Sequence, residues 1–170
     1  MSTQISKEYY WHAIYTFPRF EKKLHKILLD KGIEVYLPLQ KTLRKWKDRK
    51  KWVEEPYFRS YIFVKVSEKE YYDVINTNGA VKYVSFSGKA SVIPESQILT
   101  MKKLLNHDHN IIVTNKQFKK GEIVQIKEGT LAGYEGEIIN YLGKKRILIR
   151  IQEIGYSLMV ETPVSDLIGE

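Results

Sequence analysis

Four glycines, Gly129, Gly133, Gly136 and Gly143, punctuate the segment that follows Ile126. Each would cost a helix interior about 1 kcal/mol relative to alanine, so this region disfavours a continuous helix. Its flanks alternate instead. Residues 122–127, 136–142, 146–151 and 156–161 read as four short strands separated by Gly- or Lys-rich turns, at the spacing of a small barrel. The run Ile147-Leu148-Ile149-Arg150-Ile151 is β-branched at three of five positions, which again favours a strand. Residues 118–170 are therefore expected to close a narrow β-barrel with a modest core.

Residues 1–107 follow a different pattern. Residues 9–16 are aromatic and β-branched and read as a strand. Pro18 suits the first turn of a helix, where its missing N–H costs nothing. Phe20, Leu24, Ile27, Leu28 and Lys31 then fall at helical spacing, with Glu21, Lys22, Lys23 and Lys26 on the other face and Gly32 as the stop. Residues 33–39 look extended, limited by Pro38 to an edge or a strand end. The charged residues 41–51 suit a hairpin or a mobile loop leading into a strand over residues 57–66. Ser67 and Glu70 form a capping box for a helix through Tyr71, Tyr72, Val74 and Ile75, closed by Asn78-Gly79.

Residues 81–92 carry a hairpin signal at Ser87-Gly88-Lys89. Pro94-Glu95 opens a last helix with Ile98, Leu99, Met101, Leu104 and Leu105. The order β-α-β-β-α-β-α predicts an α+β sandwich with a largely antiparallel sheet. Residues 108–117 are the expected linker, in which the apolar triplet Ile111-Ile112-Val113 either docks on one domain or forms a short strand.

Charge separates the two parts as sharply as pattern does. Up to Asn110 there are 20 basic and 12 acidic residues, whereas the remainder holds 8 of each. The whole net charge of +8 thus sits in the first part, which points to different partners for the two. No apolar run exceeds four residues, far short of the roughly 20 of a membrane span. With a polar N-terminus and no cysteine, a cytoplasmic protein without disulfide scaffold, Cys-type zinc site or thiol nucleophile is expected.

The sharpest local pattern is Val124-x-Ile126-x-x-Gly129-x-Leu131-x-Gly133-x-x-Gly136-x-Ile138. It reads as strand, glycine-bearing turn, strand, with Gly129 and Gly133 in conformations closed to other residues and Leu131 plugging the small core. The pattern resembles the KOW motif of ribosomal proteins and transcription elongation factors. Three earlier segments resemble the N-terminal domain of the NusG family: residues 10–16 followed by Phe20-Glu21, residues 32–38, and residues 56–64. The family's usual Phe-Pro-Gly-Tyr is here Phe58-Arg59-Ser60-Tyr61, which removes a turn-forming pair and adds a cation. With its extended basic loop, the chain looks most like a specialised paralogue of the UpxY or RfaH type.

That resemblance implies binding to the clamp helices of the large RNA polymerase subunit through an apolar pocket on the sheet. Carried over by position, Phe58, Tyr61 and Phe63 lie at or beside the pocket, with Trp11 and Tyr15 on the neighbouring strand. Tyr61 and Phe63 share one strand face, and Ile62 and Val64 line the other. The competing reading makes all five aromatics ordinary core.

Residues 41–51 hold seven cations, Lys41, Arg44, Lys45, Lys47, Arg49, Lys50 and Lys51, against Asp48 alone, with Trp46 and Trp52 interleaved. Such cations neutralise phosphates without reading sequence, and the indoles suit stacking on an unpaired base. Arg19, Lys22, Lys23 and Lys26 form a second cationic surface on the first helix. The resemblance implies that this side faces upstream duplex DNA or the displaced non-template strand. The alternative is a solvated hairpin tip whose lysines guard an edge strand.

Enzyme chemistry has no foothold. His107 and His109 lack a third ligand, His12 and His25 lack a neighbouring acid or nucleophile, and the glycine pattern lacks the Lys-Ser/Thr of a phosphate loop. The expectation is a monomeric antiterminator that acts by occupancy, without cofactor or metal. Its KOW barrel would be free for a ribosomal protein or a termination factor. A ribosome-associated KOW-type RNA-binding protein is the alternative, which the neutral charge of residues 111–170 disfavours. In RfaH the KOW domain refolds as a helical hairpin docked on the clamp site; the glycines and β-branched residues here predict strands in the intact chain.

Overall fold

A computed structural model describes residues 8–106, 111–127, 132–161 and 167–169. The chain falls into two compact units that divide between Leu99 and Thr100. In the first, β1 (Tyr10–Thr16) pairs antiparallel with β5 (Tyr61–Val66) and β6 (Ala80–Tyr83), and β5 pairs with β2 (Glu34–Tyr36). The order is β2-β5-β1-β6. Strand alternation sends Ile14, Ile62, Val64 and Val66 to one face, where they pack with Leu24 and Leu28 of α1 (Glu21–Asp30) and Val74 of α2 (Glu68–Ile75). Trp11, Ala13 and Phe63 are buried on the opposite face.

Local signals explain the helix ends. Gly32 adopts φ 78°, and the N–H groups of Gly32 and Ile33 donate to the carbonyls of Leu29 and Leu28, so α1 ends in a Schellman motif. The expected capping box is present: Ser67 N–H donates to Glu70 Oε2 at 2.9 Å. Gly79 carries φ 103°, and a Cβ there would stand 2.1 Å from Phe20 Cδ1, so both conformation and close approach require glycine. Ser87 and Gly88, both at positive φ, turn the short hairpin β7 (Ser85–Phe86) to β8 (Lys89–Ala90) where the sequence places it.

Three expectations need correction. Helix α1 begins at Glu21 rather than at Pro18, because Arg19 takes φ 66° and a left-handed residue cannot lie within a right-handed helix. Glu21 is buried rather than solvent-facing, because it accepts the Ser60 N–H at 2.7 Å. In α3 (Glu95–Leu105), Ile98, Met101, Leu104 and Leu105 are buried as expected, but Leu99 is exposed.

The second unit contains a six-stranded sheet in the order β14-β10-β11-β12-β13-β9. Its strands are β9 (Ile111–Thr114), β10 (Glu122–Ile126), β11 (Glu135–Tyr141), β12 (Lys144–Ile151), β13 (Tyr156–Val160) and β14 (Leu167–Gly169). Val124, Ile126, Ile147, Leu148, Leu158 and Met159 are buried. The apolar triplet of the expected linker therefore belongs to a strand, since Ile111, Ile112 and Val113 pair with Val160, Met159 and Leu158. Residues 107–110, which include the first three residues of that linker, lie outside the described residues. Strands, not a helical hairpin, occupy 122–126 and 135–151 in the intact chain. The overall class is α+β, as expected.

Candidate functional site

Residues 41–51 form a hairpin. Among the described residues, strands β3 (Leu39–Lys45) and β4 (Lys50–Pro56) pair only with each other, closed by Trp46 N–H donating to the Arg49 carbonyl at 2.8 Å. The register sets Leu43 opposite Trp52, Arg44 opposite Lys51 and Lys45 opposite Lys50. Like charges directly opposed across a ribbon are destabilising, so the Lys45–Lys50 pair opposes the fold it sits on, whereas Arg44 opposite Lys51 is offset by Glu55. Trp46 is 47% and Trp52 64% exposed, and Lys41, Lys45, Lys47, Arg49, Lys50 and Lys51 are exposed around them.

The cations divide into two groups. At the base of the ribbon, Arg44 Nε donates to Glu55 Oε1 at 2.9 Å, and Lys22 Nζ lies 4.0 Å from Glu54 Oε2. Around the turn, Lys45, Lys47, Arg49, Lys50 and Lys51 have no ion pair among the described residues. Lys22 also joins Lys41, Lys51 and Trp52 in lining one shallow groove, so helix and ribbon cations share a surface. Lys23 lies over the Phe20 ring at 4.9 Å, and Lys26 is exposed farther along α1. A cleft of about 500 Å³ runs between the start of α1, the ribbon base and the turn before β5, lined by Arg19, Lys22, Arg44 and Arg59 among others.

The five aromatics of the second candidate surface separate by burial. Phe63 (0%), Phe58 (1%) and Trp11 (2%) are sealed in, with Phe58 edge-on to Phe63 at 5.6 Å. Tyr15 and Tyr61 sit opposite each other in the β1–β5 register, half-buried and in a T-shaped contact at 5.5 Å. Strand alternation places Tyr61 and Phe63 on one face, but only the tyrosines keep accessible surface.

In the glycine motif, Val124 and Ile126 are buried and Gly133 takes φ 87°; Gly129 and Leu131 lie outside the described residues. At Gly136 a Cβ would come within 2.3 Å of Ile147 Cγ2. His12 is buried, with Nδ1 2.9 Å from the Ser91 carbonyl and its ring edge-on to Tyr83. Burial holds its pKa below the ordinary histidine value, with the Ser91 carbonyl opposing this in lesser part. His107 and His109 lie outside the described residues, and no cluster of three metal-ligating side chains occurs among those described. Arg59 and the buried Glu21, both within the segments that resemble the family, are not among the site residues expected from the sequence. The added cation at Arg59 was the one available signal.

As a class, this is a two-unit α+β protein whose N-terminal sandwich carries an exposed cationic ribbon. Residues 9–102 match the family described as "Transcription termination factor nusG". The chain belongs to the NusG family of transcription termination/antitermination factors, which are not enzymes. It is 25% identical over 149 residues to the Streptococcus pyogenes serotype M3 and serotype M1 proteins named "Transcription termination/antitermination protein NusG", covering 79% of this chain and 82% of theirs. Its fold is similar to that in the structure titled "Domain interaction in Thermotoga maritima NusG", with a TM-score of 0.55 and 18% identity over 94% of this chain and 96% of that one.

Proposed function

We propose that this chain is a specialised antiterminator that binds the RNA polymerase clamp helices through its N-terminal sandwich and holds upstream duplex or non-template DNA with the β3–β4 ribbon. The observation that carries this reading is the ribbon's register. Lys45 faces Lys50 with no ion pair at either among the described residues, and Lys51 faces Arg44, whose charge Glu55 already meets; a polyanion would relieve the repulsion that remains. Exposed Trp46 and Trp52 beside them supply faces for an unpaired base. For the polymerase contact, Tyr15 and Tyr61 are the supported anchors, whereas Trp11, Phe58 and Phe63 would act from beneath as the packing that holds them. The second unit, whose residues 111–170 sum to zero charge, would be free for a ribosomal protein or termination factor. Any effect on pausing is bounded by the difference in affinity for the paused and elongating polymerase states.

The test is transcription by purified polymerase on a template with a pause and a terminator, with the full chain added. Read-through should rise with the wild-type protein and fall back with Lys45, Lys47, Lys50 and Lys51 changed to Gln. Tyr15→Ala with Tyr61→Ala should weaken polymerase binding by about 1–3 kcal/mol. Undiminished read-through in the lysine variant would remove the ribbon from the mechanism, and unchanged binding in the tyrosine variant would remove the clamp site.

A further inference from the structure

Two of the four non-glycine residues at positive φ among the described residues line the same cleft: Arg19 at 66° and Ser60 at 63°. Backbone strain of this kind persists only where the surroundings over-determine it, and it concentrates at ligand clamps. The surroundings here are specific. Thr16 N–H donates to the Ser60 carbonyl at 2.8 Å, and Ser60 N–H donates to the buried carboxylate of Glu21 at 2.7 Å. The segment carrying Arg19 and the turn carrying Arg59 are thus tied to each other by one main-chain bond and one bond from main chain to side chain.

The cleft's charges are unevenly engaged. Glu54 and Glu55 lie against Lys22 and Arg44 on the ribbon side, and Glu21 is occupied by Ser60. Arg19 and Arg59 are exposed and form no ion pair among the described residues. Guanidinium groups match phosphate oxygens two at a time. We propose that this cleft seats one phosphodiester of the strand held by the ribbon, with Arg19 and Arg59 as its ligands and Glu21 as the positioning residue that fixes the Arg59 turn. The inference rests on the nucleic-acid reading of the ribbon.

The test is the salt dependence of binding of a fluorescent single-stranded oligonucleotide by the full chain. Arg19→Asn, a residue that tolerates positive φ, combined with Arg59→Gln removes two contacts. Because both arginines hold one phosphate, the slope of log affinity against log salt should shrink by about 0.7 on a single strand. Glu21→Ala should shrink it by less than the arginine pair does, and Glu21→Gln, which keeps an acceptor oxygen, should restore it. If the lysine variant of the ribbon flattens the slope and the arginine pair does not, the cleft assignment is overturned while the ribbon reading stands. If neither changes it, both fall. Adenosine monophosphate separates a strand from a free nucleotide: Arg59 and Ser60 amide shifts should respond to the oligonucleotide, and a response to the mononucleotide alone would overturn the strand assignment.

Discussion

The β1–β5 pair and the β3–β4 ribbon are built alike, as antiparallel ladders of six and seven register pairs, and they serve opposite ends. In the first, Ala13 faces Phe63 and Ile14 faces Ile62, all four buried. In the second, Arg44 faces Lys51, Lys45 faces Lys50, and the largest apolar pair, Leu43 with Trp52, is left in solvent. The first ladder is held by what it excludes from water. The second has almost nothing to exclude, so its residues answer to whatever it meets outside the molecule. Two-stranded ribbons alone are marginal in water, and this one is held between its own two arms, where Tyr57 N–H donates to the Pro38 carbonyl and Arg44 meets Glu55.

That contrast can be broken most severely from the buried side. Phe63→Ala should lower unfolding free energy by about 3–5 kcal/mol in urea titration, because it empties a fully enclosed site. Trp52→Ala, on the ribbon, should move stability by no more than about 0.5 kcal/mol in the same measurement. A comparable loss in both would erase the distinction. Next in size, Gly136→Ala should cost about 1–3 kcal/mol, because its new methyl would collide with Ile147.

The ribbon's own effects are in affinity. Trp52→Ala should weaken single-strand binding by about 1–3 kcal/mol if a base stacks there, measured by anisotropy at fixed salt. The smallest effect is a pH dependence. Burial lowers the pKa of His12 in the folded chain, so the unfolded chain takes up the proton first as pH falls. Stability is therefore full above the ordinary histidine value of about 6.5 and declines as pH drops through the lowered folded value. Half-buried His25 adds in the same direction, so His12→Gln should reduce this dependence without abolishing it.

What the sequence discloses is what local chemistry decides. The Gly32 stop, the Ser67–Glu70 box, the Ser87-Gly88 turn and the strands β10 to β13 each depend on residues a few positions apart, and each lies where the sequence leads one to expect it. What stays hidden depends on distant partners. Glu21 looks like a solvent-facing helix residue until Ser60, 39 positions away, presents its N–H. The apolar triplet Ile111-Ile112-Val113 could equally dock on a domain or form a strand until β13 offers it a pairing edge. Alternation put Tyr61 and Phe63 on one face, but it could not say that Phe63 is sealed while Tyr61 is half open. In the ribbon, the cation run was plain, yet the like-charge register emerges only once Trp46 and Arg49 close the turn.

The central claim, that the ribbon and not the second unit meets nucleic acid, is tested most directly by titrating the isotope-labelled full chain with a single-stranded oligonucleotide and following backbone amides. Shifts should concentrate in β3, β4 and their connecting turn, extend to Arg19, Lys22 and Arg59, and leave β9–β13 unmoved. Shifts in β10–β13 with the ribbon silent would contradict it, and would make the second unit the nucleic-acid-binding part.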